Sequence, residues 1–235
     1  MDLKMSNEVF DISKYGQVLL NWNKEKQDAA KARIWDEFGL HQFCDEKSIA
    51  LSKHILDDEY ELLLDSFNVR EHIVVTLSHK KFIRKSFTRF QKFFQSINLT
   101  EEQVSKHDDS KLTSFLEIIG YTQRWVWEVK IDIWKEAWKH HYTTNSHHPE
   151  YYIHSTEDGQ PIQNDMNYLD MVESVVDMLA CRWERKLDGN EFVRCNELLD
   201  IQEFFFNRYT SKDRARVKQL LTQLSNLEYD ENKED

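Results

Sequence analysis

The chain has 235 residues and a mass of 28.4 kDa, which allows one large domain or two small ones. Its 5 glycines and 2 prolines are too few for the turns of a β-sandwich or for glycine-rich phosphate loops, so the composition predicts an all-α fold. The formal net charge of −11 argues against nonspecific binding to nucleic acid or to an anionic membrane.

The sequence shows no targeting or membrane segment. No apolar run approaches the roughly 20 residues that a membrane-spanning helix needs, and the first residues lack the apolar stretch of a signal peptide. The three cysteines, Cys44, Cys181 and Cys195, lack the close spacing of a structural zinc site, which suits a reducing compartment. We therefore expect a cytoplasmic protein.

The apolar spacing in the first hundred residues predicts three helices, over about 17–38, 46–67 and 68–97. Thr100 and Gln103 have the spacing of a capping box and predict the start of a short helix. We expect Gly120 to end the apolar run that follows.

A predicted helix over residues 121–141 carries an aromatic stripe, which we expect to be buried, formed by Trp127, Ile131, Trp134, Trp138 and His141. Residues 142–163 contain both prolines and are predicted to form a long loop. Asn167 is predicted to cap a helix that ends near Gly189. Two more helices are predicted over 191–209 and 211–227, before an acidic tail that we expect to be disordered.

Histidine is concentrated in the middle of the chain, because eight of the 10 histidines lie between His72 and His154. Imidazole and carboxylate groups without thiolate suit manganese, iron, zinc, nickel or magnesium in an open catalytic site. The candidate ligands in this region are His72, His79, His107, Asp108, His140, His141, His147, His148, Asp170, Glu173 and Asp177.

Helix geometry reduces this set. His72 and His79 share a helix face but stand roughly 10 Å apart along the axis, so both cannot easily bind one ion. Glu173 and Asp177, at positions i and i+4, could serve one site or form a ligand with its supporting partner.

Four strings carry a resemblance to known proteins: TLSH at 76–79, HDDSK at 107–111, HHYTTNSHHPE at 140–150 and MNYLDMVESVVD at 166–177. Their order resembles the HD superfamily of metal-dependent phosphohydrolases. They are closest to an uncharacterised helical family, domain of unknown function 5662. The third string is the most specific of the four.

The resemblance implies an HD-like helical bundle that holds one or two divalent ions. The ligands it implies for a first ion are His79, His107, Asp108 and Asp177. A second ion would be bridged by Asp108 and completed by one histidine from each of the doublets His140/His141 and His147/His148. Lys111 matches a lysine of the HD motif and would contact phosphate.

The resemblance covers about Val69 to Gly189, and the helix patterns outside it complete the predicted domain organisation: a helical extension over 1–67, an HD-like metal-binding core over 68–189, C-terminal helices over 190–227 and the acidic tail over 228–235.

The remaining roles are assigned from the surrounding residues. We expect His72, Glu173 and Asn145 to contact the ligating side chains on the side away from the ion and so to orient them. Glu150 could be a catalytic base or a helix cap. Which member of each doublet binds the ion stays open. His141 and His148 are preferred, because His141 continues the tryptophan stripe.

The leading functional hypothesis is a metal-dependent phosphohydrolase that acts on a small phosphorylated or nucleotide-like molecule through a metal-activated water. The first alternative is a dinuclear iron oxygenase of the HD fold. The second is a non-catalytic helical protein that keeps the metal as a folding staple. The substrate, the identity and number of ions and the oligomeric state stay open.

Overall fold

We describe the structure from a computed structural model, for residues 18–66, 68–122, 132–185, 194–199 and 203–231. These residues are mostly helical, and the only sheet among them has two short strands. The prediction of an all-α fold is therefore confirmed. In the described ranges, none of the helices combines the length and apolar character that a membrane crossing requires.

The chain forms two compact units. The first comprises the residues up to Val74 together with Ser110–His140, and the second comprises Val75–Asp109 together with the residues from His141 onward. The division into an N-terminal extension, a core and C-terminal helices stays a prediction.

In the first unit, helix α1 (Lys24–Glu37) is capped by Asn23, whose side chain accepts a hydrogen bond from the Lys26 amide. The Trp35 indole donates to the carbonyl of Leu112 at 2.8 Å, which ties α1 to a later segment of the same unit. The elements that follow are a short 3-10 helix (His41–Phe43), α2 (Glu46–Leu51), a second 3-10 helix (Ser52–His54), α3 (Asp57–Glu61) and a π-helical turn (Leu62–Ser66).

The prediction of one helix over 46–67 is thus wrong for the described residues. The backbone is extended at Ile55 and Leu56. Asp57, Asp58 and Glu59 then occupy the first turn of α3, where acidic side chains interact favourably with the helix dipole. Phe67 lies outside the described residues.

The predicted helix over 68–97 is divided into α4 (Val69–Arg89) and α5 (Gln91–Ser96). Phe90 leaves the helical conformation, with φ −113° and ψ 29°, and its buried ring meets Phe94 edge to face at 6.0 Å. Packing of aromatic rings therefore accompanies the break. The predicted capping box of Thr100 and Gln103 is confirmed at the start of α6 (Glu101–Ser105).

Gly120 is the next-to-last residue of its helix, so the helix ends one residue beyond the predicted break. It belongs to α8 (Phe115–Tyr121), which follows α7 (Ser110–Thr113). A Cβ atom on Gly120 would lie 2.3 Å from the Cβ of Ala137 in α9 (Asp132–Thr144). Glycine is therefore required here by the close approach of two helices.

The prediction that the aromatic stripe is buried is correct for His141 and wrong for Trp138. Trp134 and Trp138 stack at 5.9 Å, but Trp138 is 44% exposed, and the buried positions of α9 are Ile133, Ala137 and His141. Trp127 and Ile131 lie outside the described residues.

The predicted loop over 142–163 contains regular structure. Helix α9 extends to Thr144, a 3-10 helix covers Pro149–Tyr152, and a hairpin pairs β1 (Ile153–Ser155) with β2 (Pro161–Gln163). Asn167 caps α10 (Tyr168–Arg185) as predicted, because its side chain accepts from the Leu169 amide at 3.0 Å. The predicted end near Gly189 lies outside the described residues.

The C-terminal part is less regular than the predicted helix over 191–209. Its described elements are a 3-10 helix (Cys195–Leu198), α11 (Glu203–Phe206) and α12 (Ser211–Glu231). Because α12 runs through Glu231, the prediction of a disordered tail from Glu228 is wrong for residues 228–231. Glu228 is buried and pairs with Arg89 at 3.0 Å.

The second unit is built around one apolar core. Side chains from α4, α5, α6, α10, α11 and α12 meet in it, and among the largest fully buried ones are Ile83, Phe87, Phe94 and Phe206. This core fixes the helices from which the histidines and carboxylates of the same unit project.

Candidate metal centre

Four segments of the second unit bring histidines and carboxylates together. Helix α4 supplies His79, the loop before α7 supplies His107 and Asp108, and α10 supplies Glu173 and Asp177. The fourth segment, the end of α9 and the loop after it, supplies His141, His147 and His148.

His79, His107 and Asp177 form the first group of candidate ligands. His79 Nε2 lies 3.1 Å and His107 Nε2 lies 3.7 Å from the same oxygen, Oδ1 of Asp177. One atom from each of the three residues lies within 4.8 Å of the others, close enough to share one ion with bonds of about 2 Å.

Asp108, His141, His147 and His148 form the second group. Oδ1 of Asp108 lies 3.2 Å from His141 Nε2 and 3.6 Å from His147 Nε2, and His148 Nε2 lies 3.0 Å from His141 Nε2. Asp108 Oδ2 also lies 3.7 Å from His79 Nε2. Asp108 is therefore placed to join both groups.

Carboxylates stand behind three of these histidines. The Nδ1–H groups of His107 and His147 face one oxygen of Glu173, at 2.9 and 3.5 Å, and the Nδ1–H group of His79 donates to Glu184 at 3.1 Å. Such partners fix the tautomer and leave Nε2 free to bind a metal. The predicted supporting position of Glu173 matches this geometry.

The Nε2 atoms of His107 and His147 point into the cluster. Both rings are buried, and neither Nε2 atom has a hydrogen-bond partner among the described residues. Buried polar atoms nearly always have a partner, so these two nitrogens mark a position where a cation would complete the site.

The protonation of the cluster follows from its carboxylates. Burial alone would lower the pKa of His107, but the negative charges of Asp108, Asp177 and Glu173 outweigh it and raise that pKa to about 10. Burial would raise the pKa of Asp177, but its contacts with His107 and His79 hold that pKa well below its usual range. The acids therefore require positive charge, which protons or metal ions can supply.

The loop that carries His107 and Asp108 is held in an unusual conformation. Asp108 has φ 60°, in the left-handed region that aspartate tolerates better than most residues. Lys80 donates to the carbonyls of Ser105 and His107, at 2.8 and 2.7 Å, and also pairs with Asp109. Lys80 thereby fixes the backbone that positions both candidate ligands.

Asn145 and Glu150 support the third string. The Asn145 amide donates to the His141 carbonyl at 2.7 Å and lies 3.2 Å from His141 Nδ1. Glu150 accepts hydrogen bonds from Nε and Nη2 of Arg208, at 2.6 and 2.7 Å. Because both Glu150 oxygens are engaged, its geometry favours positioning Arg208 over acting as a base.

Three predicted site residues belong to the first unit, where they contact other residues of that unit. His72 Nε2 lies 3.0 Å from the Lys111 carbonyl, and the Lys111 ammonium lies 5.3 Å from the centre of the Tyr121 ring. His140 Nδ1 lies 2.6 Å from an oxygen of buried Glu117. The predicted phosphate contact of Lys111 and metal ligation by His140 stay predictions.

Glu184, Lys80 and Arg208 were not identified as site residues from the sequence. Glu184 could have been found, because it follows Asp177 by seven residues and therefore lies on the same face of α10. Lys80 and Arg208 carry no comparable signal, since their partners are distant in the sequence.

Buried imidazoles and carboxylates that converge from four segments define the class of protein: an all-α protein with a candidate metal centre. The chain belongs to the family of unknown function (DUF5662), which it matches over residues 68–226. This confirms the resemblance to that family. No curated protein and no solved structure matches the chain.

Proposed function

We propose that the cluster binds one or two divalent metal ions and that the protein is a phosphohydrolase of the HD superfamily. Its substrate would be a small phosphorylated or nucleotide-like molecule. The observation that carries this proposal is the pair of buried Nε2 atoms on His107 and His147, which lack a hydrogen-bond partner within the described ranges while their Nδ1 sides face Glu173. An unsatisfied buried polar group costs roughly 1–3 kcal/mol, and a cation would remove that cost.

The donor set suits a catalytic ion. The two groups offer imidazole nitrogens and carboxylate oxygens, the ligands of manganese, iron and zinc in open sites. His79, His107, Asp108 and Asp177 would hold one ion. Asp108, His141 and a histidine of the second doublet would hold the other.

A divalent ion in such a site lowers the pKa of a bound water toward neutrality and holds phosphate oxygens, so that the water can attack phosphorus. The chain supplies the arrangement. Glu173 and Glu184 keep the proton of each supported histidine on Nδ1, and Lys80 fixes the backbone around Asp108. The Asp177 side chain is 21% exposed, so the cluster is partly open to solvent on this side.

Elemental analysis of protein purified without added metal is the first test. We expect one or two equivalents in the wild type and a large loss in Asp108→Asn, because asparagine tolerates the left-handed conformation but lacks the charge. His154→Ala is the matched control, since this histidine is exposed on β1. Full metal content in Asp108→Asn would reject the ligand assignment.

Activity then separates the alternatives. Turnover of nucleotides or phosphomonoesters by the manganese-loaded protein, lost in Asp108→Asn, would support the hydrolase. Oxygen consumption by the iron-loaded protein without phosphate release would favour the oxygenase, for which the same nitrogen and oxygen ligands are suitable. Stoichiometric metal whose removal unfolds the protein, with no turnover, would favour the folding staple.

A further inference from the structure

His148 differs from the supported histidines in the group that faces its Nδ1 atom. Carboxylates face the Nδ1 atoms of His79, His107 and His147. The atom that faces Nδ1 of His148 is instead Nη2 of Arg208, at 3.3 Å. A guanidinium has donors and no acceptor. The contact is therefore a hydrogen bond only when His148 Nδ1 is unprotonated and the proton of the neutral ring is on Nε2.

Arg208 is fixed in this orientation. Its Nε and Nη2 donate to the two oxygens of Glu150, at 2.6 and 2.7 Å. Its backbone carbonyl accepts from the side-chain amide of Gln163 at 2.6 Å. A two-pronged ion pair of this kind restrains the guanidinium more strongly than a single contact. The donor behind His148 is thus part of the architecture of the second unit.

The opposite side of the His148 ring enters the cluster, with Nε2 lying 3.0 Å from His141 Nε2. A ring nitrogen must be unprotonated to bind a metal, and the Arg208 contact keeps the proton on this one. Asp108, His141 and His147 supply one carboxylate and two imidazoles without it, so the second ion does not need His148. The Asn145 amide nitrogen also faces His141 Nδ1, at 3.2 Å, but an amide has an acceptor oxygen as well as a donor, so rotation of this neutral group allows His141 to free its Nε2.

We propose that His148 is a hydrogen-bond donor to a phosphoryl oxygen of the substrate, not a metal ligand, and that the Arg208–Glu150 pair positions it. The inference rests on the proposed function and deepens it, because it assigns different tasks to the two histidines of one doublet. It also names the substrate chemistry that this donor fits: an anionic phosphate oxygen beside the metal centre.

Metal binding by two matched variants tests the ligand assignment. Glutamine places an amide nitrogen near the position of histidine Nε2 but is a poor ligand. We expect His148→Gln to keep the wild-type number of manganese equivalents and an affinity within about threefold. His147→Gln should lose more than the roughly 10- to 100-fold associated with loss of an outer partner. Equal losses in the two variants would overturn the inference.

The position of the His148 proton provides a second readout that does not depend on metal. Long-range proton–nitrogen NMR correlations on histidine-labelled protein show which ring nitrogen carries hydrogen, and His148→Gln identifies the signals. We expect Nε2 to be protonated in the wild type and the preference to weaken in Arg208→Gln. A proton on Nδ1 in the wild type would overturn the inference even if metal binds.

Inorganic phosphate tests the donor role in the manganese-loaded protein. We expect His148→Ala to weaken phosphate binding about 30-fold, the effect of losing a hydrogen bond to a charged group, while His148→Gln keeps most of the affinity. Unchanged phosphate binding in His148→Ala would overturn the donor role. A wild type that binds no metal would refute the proposed function itself, which distinguishes the two failures.

Discussion

Glu173 supports two candidate ligands at once, so its substitution should weaken metal binding without removing a ligand. In Glu173→Gln the amide oxygen can still accept from both Nδ1–H groups, because both face the same oxygen of Glu173, but it carries no negative charge. Exchange of a charged acceptor for a neutral one costs about 1 kcal/mol per hydrogen bond, so the two bonds together lose about 2 kcal/mol. At 1.36 kcal/mol per factor of ten, this corresponds to about a 30-fold loss of metal affinity.

Competition with a chromogenic chelator measures this loss for manganese or zinc. Glu184→Gln should have a smaller effect, because His79 is the one cluster histidine that Glu184 contacts among the described residues. Asp170→Asn is the control on the same helix, since Asp170 accepts from the Tyr152 hydroxyl and contacts none of the cluster histidines in the described ranges. Affinity unchanged in Glu173→Gln would show that the rings are oriented by other contacts, and our reading of the site would be wrong.

Three further predictions concern pH, the loop and the helix contact. The pKa of His107 is raised to about 10 without metal and its proton must leave on binding, so apparent metal affinity should rise about tenfold per pH unit between pH 6 and 8; chelator competition that shows no pH dependence would contradict this. Lys80→Met removes the donor to two loop carbonyls and a carboxylate, so we expect the free energy of unfolding measured in urea to fall by about 2–4 kcal/mol. The exposed Lys81→Met is the control, and its free energy of unfolding should be close to that of the wild type. Gly120→Ala places a methyl group 2.3 Å from Ala137 Cβ, so we expect the free energy of unfolding to fall by about 1–3 kcal/mol and the midpoint of thermal unfolding to be lower. An unchanged midpoint would mean that the two helices can move apart at no cost.

Much of the fold follows from local patterns. The capping box at Thr100 and Gln103 and the Asn167 cap depend on residues within three positions of one another, and both are present. The break at Phe90 could not be predicted in this way, because the apolar residues from 69 to 96 recur at intervals that fit one continuous helix. The ring contacts that accompany that break form only in the folded unit.

The candidate site shows the same limit. His79, His107, Asp108 and Asp177 were recognised because they occur in an ordered series of strings. Arg208 was not, because its partner Glu150 lies 58 residues earlier in the sequence. A solvated surface arginine and one that positions a histidine have the same local pattern, and only the fold distinguishes them.

The two histidine doublets explain why the sequence could not choose between their members. Consecutive helical residues point about 100° apart, so in α9 His141 faces Asp108 while His140 contacts Glu117. The second doublet lies beyond the helix, where His148 has extended backbone angles of φ −93° and ψ 132°. Both of its rings can therefore enter the cluster, with centres 4.2 Å apart. What separates His147 from His148 is the group behind each ring: a carboxylate prepares one to bind a cation, and a guanidinium prepares the other to donate a hydrogen bond.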